Sequence, residues 1–325
     1  MTAAPVLRLE ELTASISAGD EMRHLVQGVT LDIEPGEKVG FVGESGSGKS
    51  ITMLSIMGLL PPNVSITSGS AVFAGVQLAG LAERDYQRIR GSRLAMVYQD
   101  PMSALNPVMR VGAQIAEGLR AHGAEGPGVD DTVRRVLGDV GIPDPQRIAK
   151  SFPHQLSGGM RQRVMIAMAL AMEPELIIFD EPTTALDVTI QAQILTLVRE
   201  LHAAKNTAIV WVTHDLALVS NLVDRIVVMY GGRIVEQGPV VDVLTSPRHR
   251  YTAALLKAFP ERHAQVRERL AQIPGGPPRL DDIQTGCPFR TRCVDAIESC
   301  GVMPAVEAGT PRHSYSCWVP IEVAS

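Results

Sequence analysis

The stretch GEKVGFVGESGSGKSITMLSIMGLL, residues 36–60, constrains this chain more than any other. A short apolar run, Val39 to Val42, reads as a strand, the glycines after it as a turn, and the residues after Lys49 as a helix; that succession opens a parallel α/β sheet. Within it GESGSGKS, Gly43 to Ser50, fits G-x-x-x-x-G-K-[ST]. Glycines in such a loop let successive backbone N–H groups face phosphate oxygens, at a helix N-terminus whose dipole also favours an anion. Lys49 is expected to reach the β and γ phosphates and the Ser50 hydroxyl to ligate magnesium, with Gly43, Ser45, Gly46, Gly48 and Ile51 completing the nucleotide-binding set. Average composition gives this pattern by accident on the order of once per hundred chains. Its position between a strand and a helix removes most of those accidents.

Phosphoryl transfer needs a further magnesium ligand and a group that orients the attacking water. The run LIIFDEP offers both, because Asp180 ends a buried strand, where ligands sit in open α/β sheets, and Glu181 beside it is a candidate general base. Two acids after a strand are by themselves more often a solvated loop, so their weight comes from Lys49. His214 follows the strand TAIVWVT and is placed to bond a γ phosphate or the water; Gln99 follows LAMVY and can contact magnesium or water through its amide. A second glycine turn, LSGGM, starts a helix with Ser157, Gly158 and Gly159. It is either another anion site or simply a serine N-cap.

The spacing between residues 103 and 172 turns helical, with Val111, Ile115 and Leu119 four apart, and reads as a helical subdomain inserted into the sheet. RIVVMYGGRIVEQG reads as a hairpin turning at Gly231 and Gly232. The net charge is −5 with no basic run, so nucleic acid is not expected as a main ligand. MTAAPVLRLEEL lacks the features of a secretory signal, and VMIAMALAM is about half of the ~18 residues a membrane span needs, which places the chain in the cytosol with any membrane contact made through a partner.

After about residue 245 the composition shifts, QIPGGPPRL reads as a linker, and the tail reads as an appendage too small for a core without a staple. All four cysteines, Cys287, Cys293, Cys300 and Cys317, lie there. The spacing C-x5-C-x6-C-x16-C fits neither the tight pairs of structural zinc sites nor the C-x2-C runs of ferredoxins. Four thiolates suit either metal, and inert thiols are the third alternative.

Taken together and in this order, GESGSGKS, Gln99, LSGGMRQR, LIIFDEP, TALD and His214 resemble the ATPase subunit of an ABC transporter. The resemblance covers roughly residues 5–245 and implies an α/β P-loop core carrying the helical subdomain. It implies two ATPase domains sandwiching two ATP molecules, with Ser157 and Gly159 completing the opposite subunit's site and Asp187 at the dimer seam. Importers of this type usually stack adenine on an aromatic residue before the first core strand; GDEMRHLVQGV has none and leaves Arg23 and His24 at that place. The tail, SPRHRYTAALLKAFP with CPFRTRC and two later cysteines, resembles the extension of the oligopeptide and dipeptide permease ATPases, giving domains 1–245 and 246–325. Arg250 stands where those proteins commonly have proline. This second resemblance implies a 4Fe-4S cluster on the four cysteines, with zinc as the alternative. It also implies peptide uptake with a second, different ATPase, two membrane permease subunits and a substrate-binding protein, at the cytoplasmic face of the inner membrane. Relatives that move nickel or another small solute, and non-transport ABC proteins acting on ribosomes or DNA, are the other readings.

Overall fold

The computed structural model describes residues 4–19, 21–184, 186–258, 272–278, 285–310 and 312–322. Its contacts divide the chain into two compact units, one built on 1–6, 34–37 and 81–210, the other on 7–33, 38–80 and 211–325.

The second unit holds a four-stranded antiparallel sheet in which Leu7–Ala18 lies between Glu21–Ile33 and Val64–Phe73, with Val76–Gln77 at the edge. Leu7, Leu9, Leu12, Val29 and Ile33 are fully buried, so these strands are held by one apolar face. Each such side chain contributes roughly 1.5–3 kcal/mol on burial. The same unit pairs Lys38–Val42 in parallel with Arg225–Tyr230, and Arg225–Tyr230 antiparallel with Arg233–Pro239. Gly231 and Gly232 take φ of 55° and 78° at that hairpin's turn, as the sequence suggests. Buried on both faces, Ile226 to Met229 form the continuous apolar run expected of an interior strand.

The tail, read from sequence as an appendage, instead extends this sheet. His313–Tyr315 pairs with Arg233–Pro239, and Glu307–Thr310 pairs with His313–Tyr315. A sheet edge exposes unpaired N–H and C=O groups, and the tail strands satisfy those of Arg233–Pro239. Beneath them Glu236, fully buried, accepts from the backbone N–H groups of Arg248 and His249 at 2.7 and 2.9 Å and lies 2.7 Å from His313 Nε2. A buried carboxylate persists only when its lone pairs are satisfied. All three of those partners lie in residues 246–325.

In the first unit Leu94–Val97 pairs in parallel with Leu176–Asp180. The helices Val111–Ala121, Gly128–Asp139 and Gly158–Leu170 pack on one another; Val111, Ile115 and Leu119, the four-residue spacing read from sequence, are buried, as are Val133, Val136 and Val164. Val188–Lys205 follows and stops at Asn206, whose φ of 52° and N–H bond to the His202 carbonyl close it. Strand Ala208–Thr213 starts in this unit and finishes in the other. Among the described residues no helix is long and apolar enough to cross a membrane.

Candidate functional site: the phosphate loop and the cysteine pocket

Strand Lys38–Val42 delivers the chain to Gly43, and helix Lys49–Met57 carries it away from Gly48. Only glycine fits at Gly43, since an added Cβ would lie 2.2 Å from the Met229 carbonyl oxygen. Gly48 caps the helix at φ 102°, with no side-chain cap and no acidic residue in the first turn. The helix therefore begins with no side-chain cap and no acid in its own first turn, which favours an anion at that end.

Lys49 is 4% exposed, and its ammonium donates to the carbonyls of Gly43 and Glu44 at 2.7 and 2.9 Å and to Ser47 Oγ at 3.2 Å. The loop thus holds its own lysine in the turn through which a phosphate would be gripped. The Gly232 N–H donates to the Ser47 carbonyl at 3.0 Å and ties the loop to the hairpin turn. Glu44 is gripped from three sides: its carbonyl by Lys49, its N–H by the Tyr251 hydroxyl at 2.9 Å, and its carboxylate by Arg292. His214, in the same unit, is exposed at the end of strand Ala208–Thr213.

Asp180, Glu181, Gln99, Ser157 to Gly159 and Asp187 belong to the other unit. Asp180 is the last residue of its strand. Glu181 adopts a left-handed φ of 46°, and its carboxylate accepts from Thr184 Oγ1 at 3.0 Å. A non-glycine residue held there costs roughly 1–3 kcal/mol, a strain that clusters at functional positions. Gln99 is exposed just past strand Leu94–Val97. Ser157 is the N-cap of Gly158–Leu170 and accepts from the Met160 N–H at 3.3 Å, and Asp187 caps Val188–Lys205 in the same way through Ile190 at 3.0 Å. Both residues therefore have a capping role within the chain, whatever else they touch.

At the place expected for adenine, Arg23 pairs with Glu21 at 3.2 Å and His24 Nδ1 lies 2.8 Å from Ser15 Oγ. Arg250, the departure in the tail, donates to the Val319 carbonyl at 2.8 Å and pairs with Asp295 at 3.1 Å, so it fastens the tail onto helix Arg250–Lys257.

The fold gathers Cys287, Cys293, Cys300 and Cys317 around one small cavity, whose wall includes His249 and Phe289. None forms a disulfide. Burial pushes the Cys287 thiol up to about 11 and also raises Cys293 and Cys317. Among the described residues no group of three or more His, Cys, Asp or Glu is placed to hold a single metal ion. His249 Nδ1 accepts from the Tyr251 N–H at 3.0 Å, which leaves the proton of the neutral ring on Nε2. That atom is buried and has no partner.

Three family models match the chain: ABC transporter over residues 26–184, the C-terminal region of oligopeptide/dipeptide transporters over residues 235–300, and an AAA domain, putative AbiEii toxin of a Type IV TA system, over residues 152–220. A probable peptide ABC transporter ATP-binding protein of Sinorhizobium fredii, y4tR, is 44% identical over 98% of this chain and 96% of its own length. The oligopeptide transport ATP-binding protein OppD of Escherichia coli is also 44% identical, over 98% of this chain and 94% of its own. The chain belongs to the peptide-importer branch of the ABC transporter ATPases. Of the solved structures, the ATP-binding cassette MJ0796, a dimer in a post-hydrolysis state bound to ADP and Pi, matches this ABC ATPase with a TM-score of 0.65 at 28% identity, over 72% of this chain and 98% of that one.

Sequence reading of the ABC ATPase misses the residues that grip Glu44. Glu44 fills a variable position of the loop motif, and Arg292 is 248 residues away. The one available signal is that Arg292 and Phe289 lie inside CPFRTRC, the stretch that also carries two of the cysteines.

Proposed function

We propose that the chain hydrolyses ATP to power uptake of di- or oligopeptides across the cytoplasmic membrane. It works at the cytoplasmic face of the inner membrane with a second ATPase subunit, two permease subunits and a substrate-binding protein. The observation that carries this reading is the match of both parts of the chain, cassette and tail, to peptide transporters over 98% of its length.

In the mechanism this reading implies, the N–H groups of Gly43 to Ile51 cradle the phosphates while Lys49 turns from the loop carbonyls onto the β and γ oxygens. Ser50, Gln99 and Asp180 would hold magnesium, which neutralises phosphate charge. Glu181 accepts the proton of the attacking water, and His214 bonds the γ phosphate or that water. Ser157, Gly158 and Gly159 serve the partner subunit's nucleotide, and Asp187 stands at the seam.

The four cysteines fit a 4Fe-4S cluster. They surround one cavity, and an unpartnered Nε2–H of His249 belongs to its wall. When bound, the cluster would supply the positive charge that stabilises buried thiolates and would staple the tail. Iron and acid-labile sulfide in near-equal amounts after anaerobic purification, lost in Cys293→Ser, are the expected result. Zinc would replace this reading with a mononuclear site, and absence of metal would leave the thiols inert.

For transport the test is growth. Cells lacking the chain should fail to use short peptides as an amino-acid source, wild-type chain should restore growth, and Glu181→Gln should bind ATP yet not restore it. Undiminished hydrolysis by Glu181→Gln would remove that residue as the base.

A further inference from the structure

Glu44 raises a physical problem. Its carboxylate sits on the second residue of a loop built to receive a triphosphate, where an uncompensated negative charge opposes binding. The structure answers it from the far end of the chain. Arg292 Nη1 and Nη2 meet the two Glu44 oxygens at 2.5 and 3.1 Å, a two-pronged pair whose arginine side chain is 6% and glutamate side chain 26% exposed. The rest of the guanidinium is also committed: Nε donates to the Pro274 carbonyl at 2.9 Å, Nη2 to the Ile273 carbonyl at 3.3 Å, and Nη1 to the Tyr230 hydroxyl at 3.0 Å. Burial works to lower the Arg292 pKa, and the bonds from Glu44 and Tyr230 outweigh it and raise it.

Aromatic packing fixes the height of this pair. Phe289, three residues before Arg292, packs edge-on to Tyr230 at 5.3 Å and tilted to Tyr251 at 5.3 Å, and Tyr230 and Tyr251 stand 4.4 Å apart. Tyr251 then takes the Glu44 N–H at 2.9 Å. One short segment of the tail therefore supports the loop through its side chain and its backbone at once. Arg292 also directly precedes Cys293, so the chain that lines the cysteine pocket is the chain that holds the arginine.

We propose that Arg292 is a positioning residue for ATP binding, neutralising and pinning Glu44, so that the cassette's affinity for nucleotide depends on the cysteine-bearing tail. The proposal rests on the ATPase assignment and does not depend on which metal, if any, the cysteines hold. A bidentate arginine–carboxylate pair is not replaced by an uncharged side chain, because the half-buried acid is then left without its counter-charge.

The test is a double-mutant cycle on the full-length chain, reading KM for ATP, kcat and the thermal midpoint. Arg292→Gln should raise KM about ten-fold and move kcat less than about two-fold. In a Glu44→Gln background the same arginine substitution should change KM less than about two-fold, since the charge it served is gone. Arg292→Lys keeps the charge without the fork and should fall between wild type and Arg292→Gln; it also supplies the answer if Arg292→Gln does not fold. A purely structural role would lower the thermal midpoint, leave the KM of the folded protein unchanged and give no rescue by Glu44→Gln. Unchanged KM in both arginine variants, or an equal KM rise in the two backgrounds, overturns the proposal. Loss of hydrolysis by the wild-type chain itself would instead count against the ATPase assignment.

Discussion

The phosphate loop and the cysteine tail are both small, both in the same compact unit, and they could hardly be more different as pieces of sequence. The loop is contiguous: eight residues from Gly43 to Ser50 contain nearly everything proposed to grip a phosphate, and Lys49 is held by carbonyls five and six residues away. The tail is dispersed. Its cysteines span 31 residues from Cys287 to Cys317, and its key contacts reach back to Glu44, Tyr230 and Glu236. A contiguous site announces its chemistry in a motif, while a dispersed one shows only a suspicious residue count until folding closes it.

The largest effect that separates the two regions is on turnover. Lys49→Ala removes the cation proposed to meet the phosphates and also empties the turn around Gly43 and Ser47. Hydrolysis should fall on the order of 10³-fold, as for other residues that stabilise transition-state charge. Stability should change little by comparison. A fall of less than about ten-fold, measured by phosphate release at saturating ATP, would break the claim that this loop carries the chemistry.

Phe289→Ala is the converse. The ring is 3% exposed and packs between two tyrosines, and truncating such a residue costs about 3–5 kcal/mol. Denaturant unfolding should show that loss in the transition of the whole second unit, since the tail shares its sheet. A separate early transition, with the rest of the unit unaffected, would restore the tail to an appendage.

That last point marks where sequence stops being informative. Strand Lys38–Val42, helix Lys49–Met57, the hairpin at Gly231 and Gly232 and the four-apart apolar positions of the helical segment follow from local periodicity and turn chemistry, and all were legible. The tail's place was not. His313–Tyr315 has only three residues, too few for an alternation, and it forms a strand because Arg233–Pro239 offers an edge and Glu236 offers a buried carboxylate. The site divides the same way. Gly43, Lys49, Asp180, Glu181 and His214, the residues proposed for the ATP site, are named from motifs and strand ends, whereas the grip of Tyr251 and Arg292 on Glu44 depends on side chains that nothing local connects.

A pH series sharpens the comparison further. Desolvation holds His249 near 4 against an ordinary 6.5, and the charge of Glu236 opposes that shift without reversing it. The folded state therefore binds fewer protons than the unfolded state between these values, so stability is full above about 6.5 and is lost as pH falls toward 4. The loss approaches about 3 kcal/mol at the lower end. His249→Gln should flatten that slope in urea titrations between pH 7 and 4, and an unchanged slope would show that His249 is already charged in the folded protein.

The smallest effect concerns a residue that the motif reading and the fold explain differently. Asp187 is expected at a dimer seam, yet within the chain it is the N-cap that accepts from Ile190. Asp187→Ala should cost about 1 kcal/mol of stability, the usual price of a lost cap. Asparagine caps about as well as aspartate, so Asp187→Asn should recover most of that loss while removing the negative charge. If turnover follows stability across the pair, capping accounts for the residue. If Asp187→Asn is stable and still hydrolyses ATP poorly, the carboxylate itself acts beyond its own helix, and a residue of the legible motif turns out to do its work in the assembled transporter and not in the isolated fold.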